Sequence, residues 1–464
     1  MTMLLLLAML SLHAPVMAAG LGTYTTSMRY ERIADGEGNP IWMQVHYPAL
    51  SDEDGAPPDP GGGPYPLAAM IHGYMGQAWM YDTACDAFAS MGLVVVNMDT
   101  ETHPWMDPYA LAAYTQVAMA WAEAGSAAPG HWLEGAVSSD PWLAMGHSMG
   151  GISVASLVEL EPRLETVIGF SPYRDEDYQW DGYRSFDGAA LMLTGNQDTT
   201  SPPDLVRQAW FEDLDAPSRG LYGVMHGTGH QAITDIEFHP EELSDAEQRE
   251  VAIELAGAFI EAQVFGVEDR YDTLLCTPPT PWDAQASRGN QPATSAVEES
   301  ESALRVGVAS RVGQTAVVYA GLGLGRTETD HGRIELRQAV ELTRAELLEG
   351  VACLSATLSE GYAGLAWVQV AFVDGDEVGL GRAIDVFGTD AEPLDTGDTG
   401  LAPDSGTPAE DTGAEDSQPP ASTADSEVDG VRTSGRCGCG AGAPAAWFPL
   451  LVAALAVPRR RHDP

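Results

Sequence analysis

Pro141-Trp142-Leu143-Ala144-Met145-Gly146-His147-Ser148-Met149-Gly150 is the stretch on which the reading of this chain turns. A short apolar run enters Gly-x-Ser-x-Gly, and Ile152 to Val158 then continues with helix-compatible residues. A strand that stops at such a pentapeptide and turns at once into a helix holds its serine in a strained backbone conformation. The flanking glycines let strand and helix pass closely. Ser148 Oγ is thereby raised above the sheet edge. Because a serine alcohol is a poor nucleophile until a base takes its proton and a third group orients that base, the rest of the chain should supply both.

Behind such a turn the partners follow in the order Ser, then Asp or Glu, then His. Leu191-Met192-Leu193-Thr194-Gly195-Asn196-Gln197-Asp198 places an acid just past a strand, and Thr199 to Pro203 keeps the segment in a loop. Asp198 is the expected acid; Asp204, where the next helix begins, reads as a cap. The base should follow the last strand, where Met225-His226-Gly227-Thr228-Gly229-His230 offers two histidines. His230 is preferred, since the Gly-Thr-Gly segment can carry it back over Ser148, with His226 second. His239 lies too far along. An oxyanion formed at Ser148 needs fixed donors. The backbone N–H of Met149 should be one, and that of Tyr74, in Ile71-His72-Gly73-Tyr74-Met75-Gly76, the other. His72 then holds that loop, and His147 packs beside the turn. This chemistry asks for no metal and no cofactor.

Around these segments the chain reads as α/β. Apolar runs at 67–71, 93–98, 143–145, 167–170, 190–193 and 221–225 alternate with helix candidates such as 109–124 and 205–214. Short, nearly continuous apolar strands between helices suggest a mostly parallel sheet covered on both faces, with sites at the strands' carboxyl ends. We expect this domain over residues 20–277, a Pro/Ser/Thr-rich linker over 278–297, and a small β-rich module over 298–389. In the module, Thr315–Tyr319, Arg333–Val340 and Ala366–Val373 alternate as strands do, Asp374-Gly375-Asp376 reads as a turn, and Thr343-Arg344-Ala345-Glu346 could open a helix. Residues 390–431 hold twelve Asp or Glu and no basic residue, so 390–435 reads as a disordered acidic stalk.

The formal charge is −46, and every basic side chain is Arg. So acidic a chain argues against charge-driven binding to nucleic acid or anionic membrane. Residues 1–19 read as a signal peptide with an apolar core from Met3 to Leu12. Among five cysteines, Cys85 could pair with Cys276, or Cys276 with Cys353. Residues 436–464 carry Arg436-Cys437-Gly438-Cys439, an apolar stretch and Arg459-Arg460-Arg461. This end resembles the surface-sorting tags of myxobacterial exported proteins, which implies a protein held at the cell surface or outer membrane; a plain transmembrane tail is the other reading.

His72-Gly73-Tyr74, Val95 to Thr100, Gly146 to Gly151, Ser171-Pro172-Tyr173, Asp198 and Gly229-His230 together carry a wider resemblance. From about residue 22 to 275 the chain resembles an α/β-hydrolase of the dienelactone-hydrolase-like branch, and within it the cutinase-like polyester hydrolases. The resemblance implies a serine carboxylesterase with Ser148, Asp198 and His230 as triad, acting through an acyl-enzyme. It also implies that Tyr173 flanks the bound ester, and Tyr74 is expected to line the same cleft. Only about fifteen residues separate Pro172 from the strand near Gly188, too few for a lid domain, which suits short esters or chains lying across an open surface. Trp79, Tyr81 and Trp105 could line such a cleft. A peptidase or acyltransferase with the same triad, and a non-catalytic surface adhesion protein, are the competing readings.

Overall fold

The computed structural model describes residues 22–99, 107–173, 183, 186–208, 219–237, 241–286, 292–300, 302–322, 340–357, 366–375, 377–381 and 384–385. The signal segment, the stalk, the C-terminal tag, Trp105, Arg174 to Asp177 and His239 lie outside them.

A hairpin of β1 (Thr26–Ala34) and β2 (Pro40–Pro48) leads into β3 (Tyr65–Ile71), β4 (Val94–Asp99), β5 (Val137–His147), β6 (Leu164–Phe170), β7 (Ala189–Gly195), β8 (Arg219–Met225) and β9 (Trp282–Ala286). These form one sheet in the order β1-β2-β4-β3-β5-β6-β7-β8-β9. The run from β4 to β8 is parallel; β1, β2 and β9 are the antiparallel exceptions. Among the described residues its α-helices are α1 (Asp82–Ser90), α2 (Pro108–Ala127), α3 (Met149–Leu160), α4 (Pro203–Val206), α5 (Asp245–Gln263) and α6 (Tyr271–Leu275).

Side chains alternate along each strand, and here both faces are covered. Leu67, Ala69 and Ile71 of β3 share a core with Leu111 and Met119 of α2 and Ile152 of α3. Ala68 and Met70 share a second core with Phe88 of α1 and Phe259 of α5. The expected mostly parallel sheet is therefore present, and its strands read as unbroken apolar runs because neither face meets water.

The β-rich region is also present. Strands β10 (Ala293–Ser300), β11 (Ala303–Ala309), β12 (Thr315–Leu322), β13 (Val340–Glu346), β14 (Val351–Thr357), β15 (Ala366–Asp374), β16 (Glu377–Leu380) and β17 (Ile384–Asp385) build two antiparallel sheets. One is β10-β11-β14, the other β13-β12-β15-β16 with β17 on β15. Leu304, Val306 and Val308 meet Val318, Val368, Val370 and Phe372 in a third core. Thr343 to Glu346 lies in β13 and pairs with β12, so the helix-opening reading there is corrected: cross-strand pairing won over a local cap.

Within the expected linker over residues 278–297, the described residues include two strands, Trp282–Ala286 and the start of β10. Trp282 to Ala286 add β9 to the large sheet, where the Trp282 ring covers Gly223 so closely that a Cβ there would lie 2.0 Å from it. Ala286 N–H then donates to Glu349 C=O at 2.9 Å. All the described residues fall in one compact unit.

Of the two cysteine pairings, the structure contains Cys276–Cys353, and Cys85 is a buried thiol. Beside the bridge, the Arg305 guanidinium donates from Nε and Nη2 to the Asp272 carboxylate, each at 2.8 Å. The bridge spans a sequence separation of 77. A loop of that length loses much of its freedom when crosslinked in the unfolded chain. Cys353→Ser is expected to cost about 2–4 kcal/mol, read as a lower urea midpoint, and dithiothreitol should lower the midpoint of the parent alone.

Candidate active site

Ser148 stands between β5 and α3 with φ 53° and ψ −120°. A positive φ is costly for a serine and persists only where the surroundings over-determine it. Here Ser148 N–H donates to Phe170 C=O at 3.0 Å, while its C=O accepts from Gly151 N–H at 2.9 Å and Tyr173 N–H at 3.0 Å. Two glycines make the turn possible by contact rather than by torsion. A Cβ on Gly146 would lie 2.3 Å from Gly150 O, and one on Gly150 would lie 2.1 Å from Ile71 O.

Asp198 follows β7 with its side chain fully buried. Its Oδ1 accepts from Thr200 N–H at 2.8 Å and Ser201 N–H at 2.7 Å. Its Oδ2 accepts from His230 Nδ1–H at 2.9 Å. On the other side of the ring, Ser148 Oγ–H donates to His230 Nε2, also at 2.9 Å. The structure thus brings Ser148, His230 and Asp198 into one hydrogen-bonded line.

The segment between the two histidines is pinned rather than loose. Gly227 N–H donates to Asn196 Oδ1 at 2.9 Å, Gly229 N–H to Gln248 Oε1 at 2.8 Å, and Gln197 N–H to Thr228 C=O at 3.0 Å. His226 points elsewhere, with Nε2 3.1 Å from Asp283 Oδ2. Asp204 lies in the first turn of α4, is exposed, and pairs with Arg207 at 3.6 Å.

The loop after β3 crosses in front of the serine, where a Cβ on Gly73 would be 3.1 Å from Ser148 Cβ. His72 Nδ1–H donates to Gly73 C=O at 2.7 Å, and Gly76 N–H donates to the same oxygen at 2.9 Å. In a trans peptide the C=O and the next N–H point opposite ways, so these bonds also aim the Tyr74 N–H. Met149 N–H belongs to the first turn of α3, where backbone donors lack helical partners. Tyr74, Met75, Trp79 and Tyr173 are exposed. Tyr81 is buried and therefore does not line the cleft. Among the described residues no group of His, Cys, Asp and Glu is arranged to hold a metal ion.

His147, which the sequence reads as packing beside the turn, is also hydrogen-bonded through both ring nitrogens. Its ring is buried, with Nδ1 2.8 Å from Tyr81 Oη and Nε2 2.8 Å from His230 C=O. Tyr81 and His230 lie 66 and 83 residues away, a separation no local pattern reveals.

Residues 44–294, more than half of the chain, match the family described as PETase, PET hydrolase-like. That span runs from β2 into β10 and contains every site residue named above. None of the curated proteins compared matches the chain at a significant level.

Burial, reinforced by the neighbouring His230, pushes the His147 imidazole down to about 3, and burial also lowers His72. Both rings are neutral in the fold but bind a proton near pH 6.5 once exposed in the unfolded chain. Below that pH the unfolded state carries more protons, so stability is fully present above about pH 6.5 and is lost progressively toward about 3. His147→Gln is expected to flatten this slope by up to about 1.4 kcal/mol per pH unit, as one proton is removed from the balance. Urea unfolding at pH 7, 6, 5 and 4 measures it.

Proposed function

The chain belongs to the PET hydrolase-like family, a group of carboxylic ester hydrolases of α/β-hydrolase type, and from that premise we propose that it is a serine esterase with Ser148 as nucleophile. The observation that carries this reading is the single imidazole of His230 lying 2.9 Å from both Ser148 Oγ and Asp198 Oδ2. Ser148 Oγ attacks the ester carbonyl as its proton passes to His230 Nε2. The imidazolium so formed is steadied by the buried Asp198 carboxylate, whose orientation is fixed by its two backbone donors. The N–H groups of Met149 and Tyr74 receive the oxyanion. His230 returns the proton to the departing alcohol. Water then attacks the acyl-serine with His230 again as base, releasing the acid and restoring Ser148.

The substrates proposed are short-chain esters or ester chains lying across the surface, flanked by Tyr74 and Tyr173. The exposure of Tyr74, Met75, Trp79 and Tyr173 supports an open apolar rim of that kind. We further propose that the enzyme works outside the cell, held at its surface by the C-terminal segment. The Cys276–Cys353 bridge supports an oxidising compartment. Among the described residues no helix is long and apolar enough to cross a membrane.

Turnover of p-nitrophenyl esters of graded chain length, and release of acid from a polyester film, test the reading on the whole protein. Ser148→Ala should abolish both. Asp198→Asn should lower kcat by about 10³–10⁴, since the base loses its orientation. His226→Ala should stay within about three-fold of the parent, because its ring is not needed in this scheme. Parent-level turnover in Ser148→Ala would sink the serine mechanism.

A further inference from the structure

We propose that His147 and Tyr81 form a relay that sets the position of His230 relative to the oxyanion loop, which makes His147 a positioning residue for ester hydrolysis. The inference rests on the roles given above to Ser148, His230 and Tyr74. Three bonds compose the relay. Gly73 N–H donates to Tyr81 Oη at 3.0 Å, Tyr81 Oη–H to His147 Nδ1 at 2.8 Å, and His147 Nε2–H to His230 C=O at 2.8 Å.

The direction of every bond is fixed by the two ends. A carbonyl can only accept, so His147 must carry its proton on Nε2. A backbone N–H can only donate, so Tyr81 Oη accepts from Gly73 and has its own proton to give. A neutral His147 then accepts at Nδ1, so Tyr81 Oη accepts one bond and donates one, and every other polar atom in the chain is used once. Tyr81, His147 and Gly73 are all buried, so water cannot substitute for a missing member.

The reacting groups sit on three separate loops: Ser148 after β5, His230 after β8, and the oxyanion donor after β3. Nothing in a parallel sheet requires the second and third of these to keep a fixed spacing. His147 belongs to the same turn as Ser148, and its ring lies between the Tyr81 and His230 rings, with centroids 5.8 and 5.0 Å away. It therefore ties both flanking loops to the serine's own backbone. A hydrophobic ring in its place would fill the space but leave Tyr81 Oη and His230 C=O without these partners. Glutamine retains one donor and one acceptor and can satisfy both.

The test compares His147→Leu, His147→Gln, Tyr81→Phe and the Tyr81→Phe/His147→Leu double variant in the whole protein, each first shown to be folded by near-ultraviolet circular dichroism. In His147→Leu, kcat should fall about 30-fold with KM within about two-fold, because misplacement of reacting groups acts on the transition state. Tyr81→Phe should lose about ten-fold, and the double variant should be no worse than His147→Leu, because both changes break one chain. His147→Gln should recover most of the loss. Parent-level kcat in His147→Leu, a loss confined to KM, multiplying losses in the double variant, or Gln no better than Leu each overturns the relay.

A second measurement needs no turnover. Imidazole ¹⁵N spectra should contain one ring, absent in His147→Gln, that stays neutral and protonated on Nε2 from pH 5 to 8. The Nδ1–H tautomer overturns the relay. That signature in a parent enzyme without ester turnover would strike the esterase reading alone.

Discussion

Ser148 occupies a backbone conformation that a residue with a side chain avoids, and the arrangement of three strand ends follows from holding it there. Gly150 lies so close to the end of β3 that no side chain fits between them, and Phe170 at the end of β6 accepts the serine's own N–H. The turn is thus wedged between its two neighbouring strands. Move either and the serine relaxes into an ordinary turn, with its oxygen aimed elsewhere. The strain is local, but its support comes from both cores that flank the sheet.

That support accounts for what was legible beforehand. Strands β3 to β8 could be read because burial on both faces leaves little room for polar residues, and the order Ser148, Asp198, His230 could be read because the order of parallel strands dictates it. The hairpin β1–β2 is not legible in the sequence, since its polar residues, among them Glu31 and Arg32, break up any apolar run. Strand β9 was hidden in a Pro- and Thr-rich stretch, because its pairing depends on Trp282 finding a bare glycine on β8. Local composition carries no record of such a fit.

The site shows the same division. Residue types and chain order singled out Ser148, Asp198 and His230, which the structure joins by hydrogen bonds. They could not show that the Gly-Thr-Gly segment is clamped by Asn196 and Gln248, which come from β7's loop and from α5. Nor could they show that His147 is hydrogen-bonded through both ring nitrogens. In each case the partner is remote in sequence, and the residue alone has an ordinary explanation.

Strand β9 has a consequence in time. A chain is made from its amino end, so Ser148, Asp198 and His230 have all emerged while the sheet that carries them still has an open edge at β8. That edge closes only when Trp282 to Ala286 arrive, and the crosslink from Cys276 waits longer still, for Cys353. Until then β8 presents an unpaired row of backbone groups, the kind of border that recruits foreign strands. The sheet edge at β8 therefore stays open in the interval between synthesis of His230 and synthesis of the β-rich region that fastens β9.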